Sequence, residues 1–213
     1  MDVSEMIARM DNIGFEDTED DDKMEVINDT IWDIESRALW PFLEKIATLN
    51  FDGVVAYPSN IPSDFKSVRW LYDNENLFTL WPERVTTIYD HYPNASGDPF
   101  AYYFVGDSLR LHPAPAESTG RYHLIYQASQ PELTTTSVEA DILLPKRHHR
   151  TILLGSLWRL FKNEDDPEQG MMFQQDFENR IEQMRADLFG RQHQRADQIF
   201  VIDEDDEYYS PFF

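Results

Sequence analysis

Apolar residues recur at helical spacing at both ends of the chain and alternate through its middle. Val3, Met6, Ile7 and Met10 predict a short amphipathic helix, with Ser4 near its start. Asn12–Asp22 reads as a polar, acidic connector. A second helix is predicted from about Asp22 to about Leu39, with Met24, Ile27, Ile31 and Ile34 along one face. It stops at Trp40-Pro41, because proline disfavours helix in the residue before it. Then the period changes. Leu43–Phe51 and Val54–Tyr57 flank Asp52-Gly53, a two-residue hairpin signal. Phe65–Tyr72 alternates, placing Val68, Trp70 and Tyr72 on one face, and Leu77–Trp81 reads as a further strand. Pro82–Tyr89 leaves its element type open, and Tyr92–Pro99 has loop composition. Ala101–Val105 and Ser108–His112 flank Gly106-Asp107, a second hairpin signal, and Arg121–Ala128 sets Tyr122, Leu124 and Tyr126 on one face.

Helical spacing returns at Pro145, a residue suited to a first turn. Ile152, Leu153, Leu157, Leu160 and Phe161 mark one helix; Phe173, Phe177, Ile181, Met184 and Leu188 mark a second, from about Asp166 to about Gln194. The expected fold is α+β: a four-helix bundle from the two chain ends, an inserted antiparallel β domain and an extended C-terminal tail. The expected boundaries are 1–41 with 142–195 for the bundle, 42–141 for the insertion and 196–213 for the extension.

Charge narrows the function. Eighteen basic against 40 acidic residues give a formal net charge of −22. Phosphate affinity needs Lys and Arg to displace counterions, so nucleic-acid binding is disfavoured as a main activity. There is no cysteine, hence no disulfide framework and no thiolate metal site. No apolar run approaches membrane-spanning length, and the N-terminus lacks the pattern of a secretory signal. No membrane association is expected.

No motif names a reaction. None of the six histidines sits in a zinc spacing, and the chain has no phosphate loop or nucleophile elbow. A calcium-loop count from Asp17 puts Asp22 where glycine is needed and Asn28 where glutamate is needed. No catalytic, cofactor or metal residue is therefore assigned. The basic knot Lys146-Arg147-His148-His149-Arg150 reads either as a solvated face or as a dock for a neighbour's acids, including the chain's own acidic segments. The end of the chain, DQIFVIDEDDEYYSPFF, brackets an acidic run with apolar anchors. Phe200, Tyr208, Tyr209, Phe212 and Phe213 suit a segment that orders on a partner.

Several short stretches, in order, resemble the head–tail adaptor (connector, head-completion) proteins of tailed bacteriophages. They are Ile27-Asn28-Asp29, Arg37-Ala38-Leu39-Trp40-Pro41-Phe42-Leu43, and Gly97-Asp98-Pro99 before the Tyr102–Leu111 hairpin. Leu109-Arg110-Leu111-His112-Pro113-Ala114-Pro115, Tyr122-His123-Leu124-Ile125-Tyr126 and Asp141-Ile142-Leu143-Leu144-Pro145 complete the set. The resemblance implies a structural protein of the virion, not an enzyme, assembled in the host cytoplasm. It implies a homo-oligomeric ring, typically of twelve copies, beneath the portal protein. Such a ring extends the DNA channel, passes double-stranded DNA without specific binding and docks tail or stopper proteins. The C-terminal extension would reach the portal. Asp176, Glu182 and Asp187, with Lys146, Arg147 and Arg150, become candidates for the channel or subunit interface. Two alternatives stand beside this reading: a cell-wall-degrading virion enzyme and a cellular acidic interaction module.

Overall fold

The Asp2 carboxylate accepts the Glu5 N–H at 2.8 Å, and the Asp2 N–H donates to the Glu5 carboxylate at 3.2 Å. This reciprocal capping box starts the first helix. In the computed structural model, which describes residues 1–163 and 167–199, the elements follow in the order α1 (Val3–Met10), α2 (Asp20–Ser36), β1 (Glu44–Phe51), β2 (Phe65–Asp73), β3 (Phe78–Thr79), β4 (Trp81–Pro82), α3 (Val85–His91), β5 (Ala101–Val105), β6 (Ser108–His112), β7 (Ser118–Ala128), α4 (His149–Asn163) and α5 (Pro167–Ile199). They fall into two units, Met1–Ile34 with the chain from Leu133 onward, and Glu35–Glu132.

The helical unit begins where α1 buries Val3, Met6, Ile7 and Met10. The chain then enters a π-helical turn, Asp11–Phe15, where a polar connector was expected. Gly14 takes φ 126°, a backbone that side chains resist, and so lets the chain turn. The physical reason is Phe15, which is buried with its ring edge-on to Phe161 at 4.8 Å. The three aspartates Asp20, Asp21 and Asp22 form the first turn of α2, where the helix dipole favours negative charge. Lys23 beside them is buried, with Nζ 2.5 Å from Asp11 and 3.4 Å from Asp20. Burial alone would lower its pKa, but the two carboxylates outweigh it and raise it. Met24, Ile27, Ile31 and Ile34 are all buried. Asn28, between them, accepts the Leu133 N–H at 2.9 Å and donates to the Leu133 carbonyl at 3.0 Å.

A 3-10 turn, Lys146–His148, leads into α4. Phe161 stacks on Phe173 at 5.3 Å, and Trp158 lies 6.0 Å from Phe177. Further back, Arg147 meets Asp187. These pairs run in opposite directions along the chain, so α4 and α5 are antiparallel. Where α2 and α5 press on α4, the residue is Gly155. A Cβ there would lie 2.5 Å from Thr30 Cγ2 and 2.8 Å from Phe177 Cε2. Close approach is completed by polar contacts: Thr30 Oγ1 is 3.3 Å from Ser156 Oγ, and Arg159 donates to Asp33 at 3.0 Å.

The expected four-helix bundle from the chain ends does not form. Among the described residues there are five α-helices and two sheets, and α3 lies in the middle of the chain. The helices are also too unequal. With 8 residues α1 spans about 12 Å at about 1.5 Å per residue, whereas α5 has 33 residues and spans about 50 Å. A bundle needs four stripes of similar length, and among the described residues only α4 and α5 share an extended seam.

The second unit holds a four-stranded antiparallel sheet, order β1-β7-β2-β3, and a three-stranded sheet, order β4-β5-β6. The wholly antiparallel expectation is corrected, because β4 pairs with β5 in parallel. Gly106-Asp107 does close the β5–β6 hairpin, with Val105 opposite Ser108. Asp52-Gly53 does not close one. Asp52 instead accepts the N–H groups of Val54 and Val55 at 2.9 and 3.1 Å, and Val54–Tyr57 is irregular. A Cβ at Gly53 would lie 2.6 Å from the Glu117 nitrogen, so glycine there serves close packing against residue 117. The strand β1 finds its partner in β7, with Ala47 opposite Leu124 and Leu49 opposite Tyr122. Tyr122, Leu124 and Tyr126 face inward, together with Leu49, Phe51, Leu71, Leu80, Leu109 and Leu111.

Candidate functional site

The outward face of the four-stranded sheet carries one apolar row. Antiparallel partners project to the same side. Ile46 of β1 pairs with Ile125 of β7, which pairs with Trp70 of β2. Ile46 is 70% exposed and Trp70 66%. Trp70 reaches this face because a register shift falls between Val68 and Trp70. It breaks the alternation that grouped Val68, Trp70 and Tyr72, and Leu71 and Asp73 are the buried members. Trp81 and Leu77 are also exposed in this unit, at 68% and 71%.

A charged hub holds the end of this sheet. Arg121 donates through Nη2 to Asp73 at 2.6 Å and to Asp98 at 2.8 Å, and through Nε to Asp73 at 3.0 Å. Asp73 also accepts the N–H groups of Glu75 and Asn76 at 3.0 and 3.2 Å. Burial pushes the Asp73 carboxyl up, but Arg121 and the two amides outweigh it and hold it below the usual range. The Asp73 guanidinium bond in turn raises Arg121. The hub pins the Gly97-Asp98-Pro99 loop to β2 and β7. Sequence reasoning singled out that tripeptide but not Asp73 or Arg121, which share no spacing with it. A second, half-buried pair, Lys45 with Asp64 at 2.7 Å, is joined by the Tyr126 hydroxyl at 2.9 Å. Burial raises the Asp64 carboxyl, and Lys45 and Tyr126 more than reverse it.

In the helical unit the basic knot divides. Lys146 contacts Glu139 at 2.9 Å, and the N-terminal ammonium of Met1 reaches the same carboxylate at 2.6 Å. The ammonium, then Lys146, pull the Glu139 carboxyl down to about 2. Arg147 and His148 converge on Asp187 at 2.7 and 3.1 Å. Burial, then the adjacent Arg147, lower the His148 pKa. His149 is buried between the carbonyls of Met1 and Leu144, 2.7 Å from each. Arg150 alone of the three candidate cations has no partner among the described residues. It is exposed and lines, together with Arg9, a groove of about 380 Å³.

The other candidates are dispersed. Asp176 is exposed on α5, Glu182 is exposed and pairs with Arg185 at 2.6 Å, and Asp187 is half-buried. Phe200, Tyr208, Tyr209, Phe212 and Phe213 lie outside the described residues. Among the described residues no group of three His, Asp or Glu side chains is placed to hold a metal ion, and no helix is long and apolar enough to cross a membrane. Among the described residues the arrangement offers exposed apolar and charged faces.

No curated protein matches the chain. A family model does, across residues 1–200. The chain therefore belongs to the SU10 adaptor protein family, a family of phage adaptors with a structural role in the virion.

Proposed function

We propose that the protein forms an oligomeric ring, of about twelve copies, that joins the capsid portal to the tail and extends the DNA channel. The observation that carries this reading is the uncovered apolar row Ile46–Ile125–Trp70 in a phage adaptor. A closed ring needs a heterologous contact, so each copy must offer two unlike faces. The sheet row supplies an apolar one. The charge supports the channel: an acidic lumen lets phosphates pass, whereas a basic one holds them through counterion release. Asp176 and Glu182, exposed along α5, are the proposed lumen or interface acids. Tyr208, Tyr209, Phe212 and Phe213 are the proposed portal anchors, and tail or stopper proteins dock on the far side.

Native mass spectrometry and negative-stain imaging, with the protein alone and mixed with portal-bearing capsids, test the ring. Closed rings in either sample are expected. A monomer in both would overturn the proposal. Removing residues 208–213 is expected to abolish attachment to the capsids while rings persist.

A further inference from the structure

The groove bordered by Arg9 and Arg150 has an unusual composition for this chain. Its wall is apolar: Ile13 from the π-helical turn, Leu153, Leu154 and Leu157 from α4, and Phe173 from α5. Ile13 is 43% exposed. Its rim is cationic in a molecule of charge −22. Many of the other bases are paired: Lys23, Lys45, Lys66, Arg121, Lys146 and Arg159 all have carboxylates within 4.0 Å. Arg9 and Arg150 have no carboxylate partner among the described residues and point to one cleft from two separate helices. Two unpaired guanidinium groups lining one apolar cleft can receive acids that come from elsewhere.

We propose that this groove receives the segment Phe200–Glu207 of a second copy of the chain, leaving Tyr208–Phe213 free for the portal. The match is chemical. Phe200-Val201-Ile202 supplies apolar anchors for the Leu153, Leu154, Leu157 and Phe173 wall, and Asp203-Glu204-Asp205-Asp206-Glu207 supplies carboxylates for the two guanidinium groups. Reach selects a second copy over the same chain. Phe173 lies at the groove and α5 continues to Ile199, so 26 residues at about 1.5 Å each separate them by roughly 39 Å. Arg147 meets Asp187, so Leu153, six residues further along the antiparallel α4, lies level with about residue 181 of α5, roughly 27 Å from Ile199. Phe200 and Ile202 follow Ile199 by one and three residues, which extend at most about 4 and 11 Å. The apolar anchors of one chain therefore fall short of the wall of its own groove. The proposal rests on the ring reading only for the presence of a neighbour at working distance.

A fluorescent peptide of residues 200–207 titrated into the full-length protein at low micromolar concentration tests the groove without requiring a ring. Anisotropy should rise and saturate, and fall with added salt. The exposed double substitution Arg9→Glu with Arg150→Glu should weaken binding at least tenfold, with unchanged circular dichroism. A peptide with lysines in place of its five acids should bind that variant better than the native protein. Absence of saturable binding, or equal affinity for native and double variant, would overturn the proposal. Cross-linking Arg150→Lys with a carbodiimide in a mixture of ¹⁴N and ¹⁵N protein supplies the second arm. Links between position 150 and residues 203–207 should join unlike labels; links confined to like labels would mean that a chain binds its own segment, and would overturn the assignment to a neighbour. Rings seen without peptide binding would sink this inference alone, and peptide binding without rings would sink the ring alone.

Discussion

Replacing Gly155 by alanine places a methyl group where α2, α4 and α5 meet. Two effects oppose each other. Alanine is more favourable than glycine inside a helix by about 1 kcal/mol. Against that, the new Cβ would sit 2.5 Å from Thr30 Cγ2 and 2.8 and 2.9 Å from two Phe177 ring carbons. Neither neighbour can yield easily. The Thr30 hydroxyl donates to the Val26 carbonyl at 2.7 Å and receives Arg159 at 3.1 Å, which fixes its rotamer. Phe177 is fully buried beside Trp158. Overpacking of a fixed site costs about 1–3 kcal/mol, and pinned neighbours place this one near the upper end. The expected net loss for Gly155→Ala is about 2 kcal/mol. Gly190 in α5 provides the control, because a Cβ there meets nothing within 4 Å. Gly190→Ala should gain the helix-propensity term alone, so the two variants should differ by about 3 kcal/mol. Adding Thr30→Ser to Gly155→Ala removes the nearest methyl and keeps the hydroxyl, and should recover part of the loss. Urea unfolding followed by circular dichroism at the helical band reads all three. Equal midpoints for the two alanine variants would refute the proposed crossing of α2 and α5 on Gly155.

Asp73→Asn should destabilise the β unit by about 3–5 kcal/mol, because it leaves Arg121 with its main buried partner neutralised; a thermal midpoint within a degree of wild type would contradict the hub. The carboxyl groups of Asp73 and Asp64 are depressed below their ordinary 3.8. Their contribution to stability is therefore complete above that value and lost as pH falls below it, so denaturant midpoints should be level near neutrality and drop under pH 4, with a shallower drop in Asp73→Asn. His148 has a folded pKa below 6.5, so stability from this site is present above that value and declines as pH falls beneath it; proton NMR of its ring should show the depressed titration. Trp70→Glu should leave the monomer's circular dichroism intact and abolish rings, since it puts a charge in place of the largest side chain of the apolar row.

Features with a local period were legible before the structure. Val3, Met6, Ile7 and Met10 set α1, Met24 to Ile34 set the buried face of α2, and Gly106-Asp107 set a hairpin. What sequence could not show came from partners far along the chain. Phe15 sits in an acidic stretch, yet Phe161 buries it. Val54–Tyr57 alternates like a strand, but β7 already occupies one side of β1, and residues 58–60 turn back along it through Ser59 and Asn60. Trp70 faces outward because of a register shift, and no composition rule marks that position. Of the basic knot, Lys146 and Arg147 are engaged by Glu139 and Asp187, at separations that leave no pattern in sequence. Arg150 becomes noteworthy only once Arg9 is seen to line the same groove.

The helical unit is written in two instalments, with the β unit between them. A ribosome adds about 5–20 residues per second, so α2 emerges several seconds ahead of α4, which must supply Gly155, Ser156 and Arg159 to its buried face. Through that interval Met24, Ile27, Ile31 and Ile34 have only α1 and Phe15 from their own unit for company. The acids crowded at Glu16–Asp22 then have a task before folding as well as after it: they keep a waiting apolar helix soluble in a cell filling with identical nascent chains.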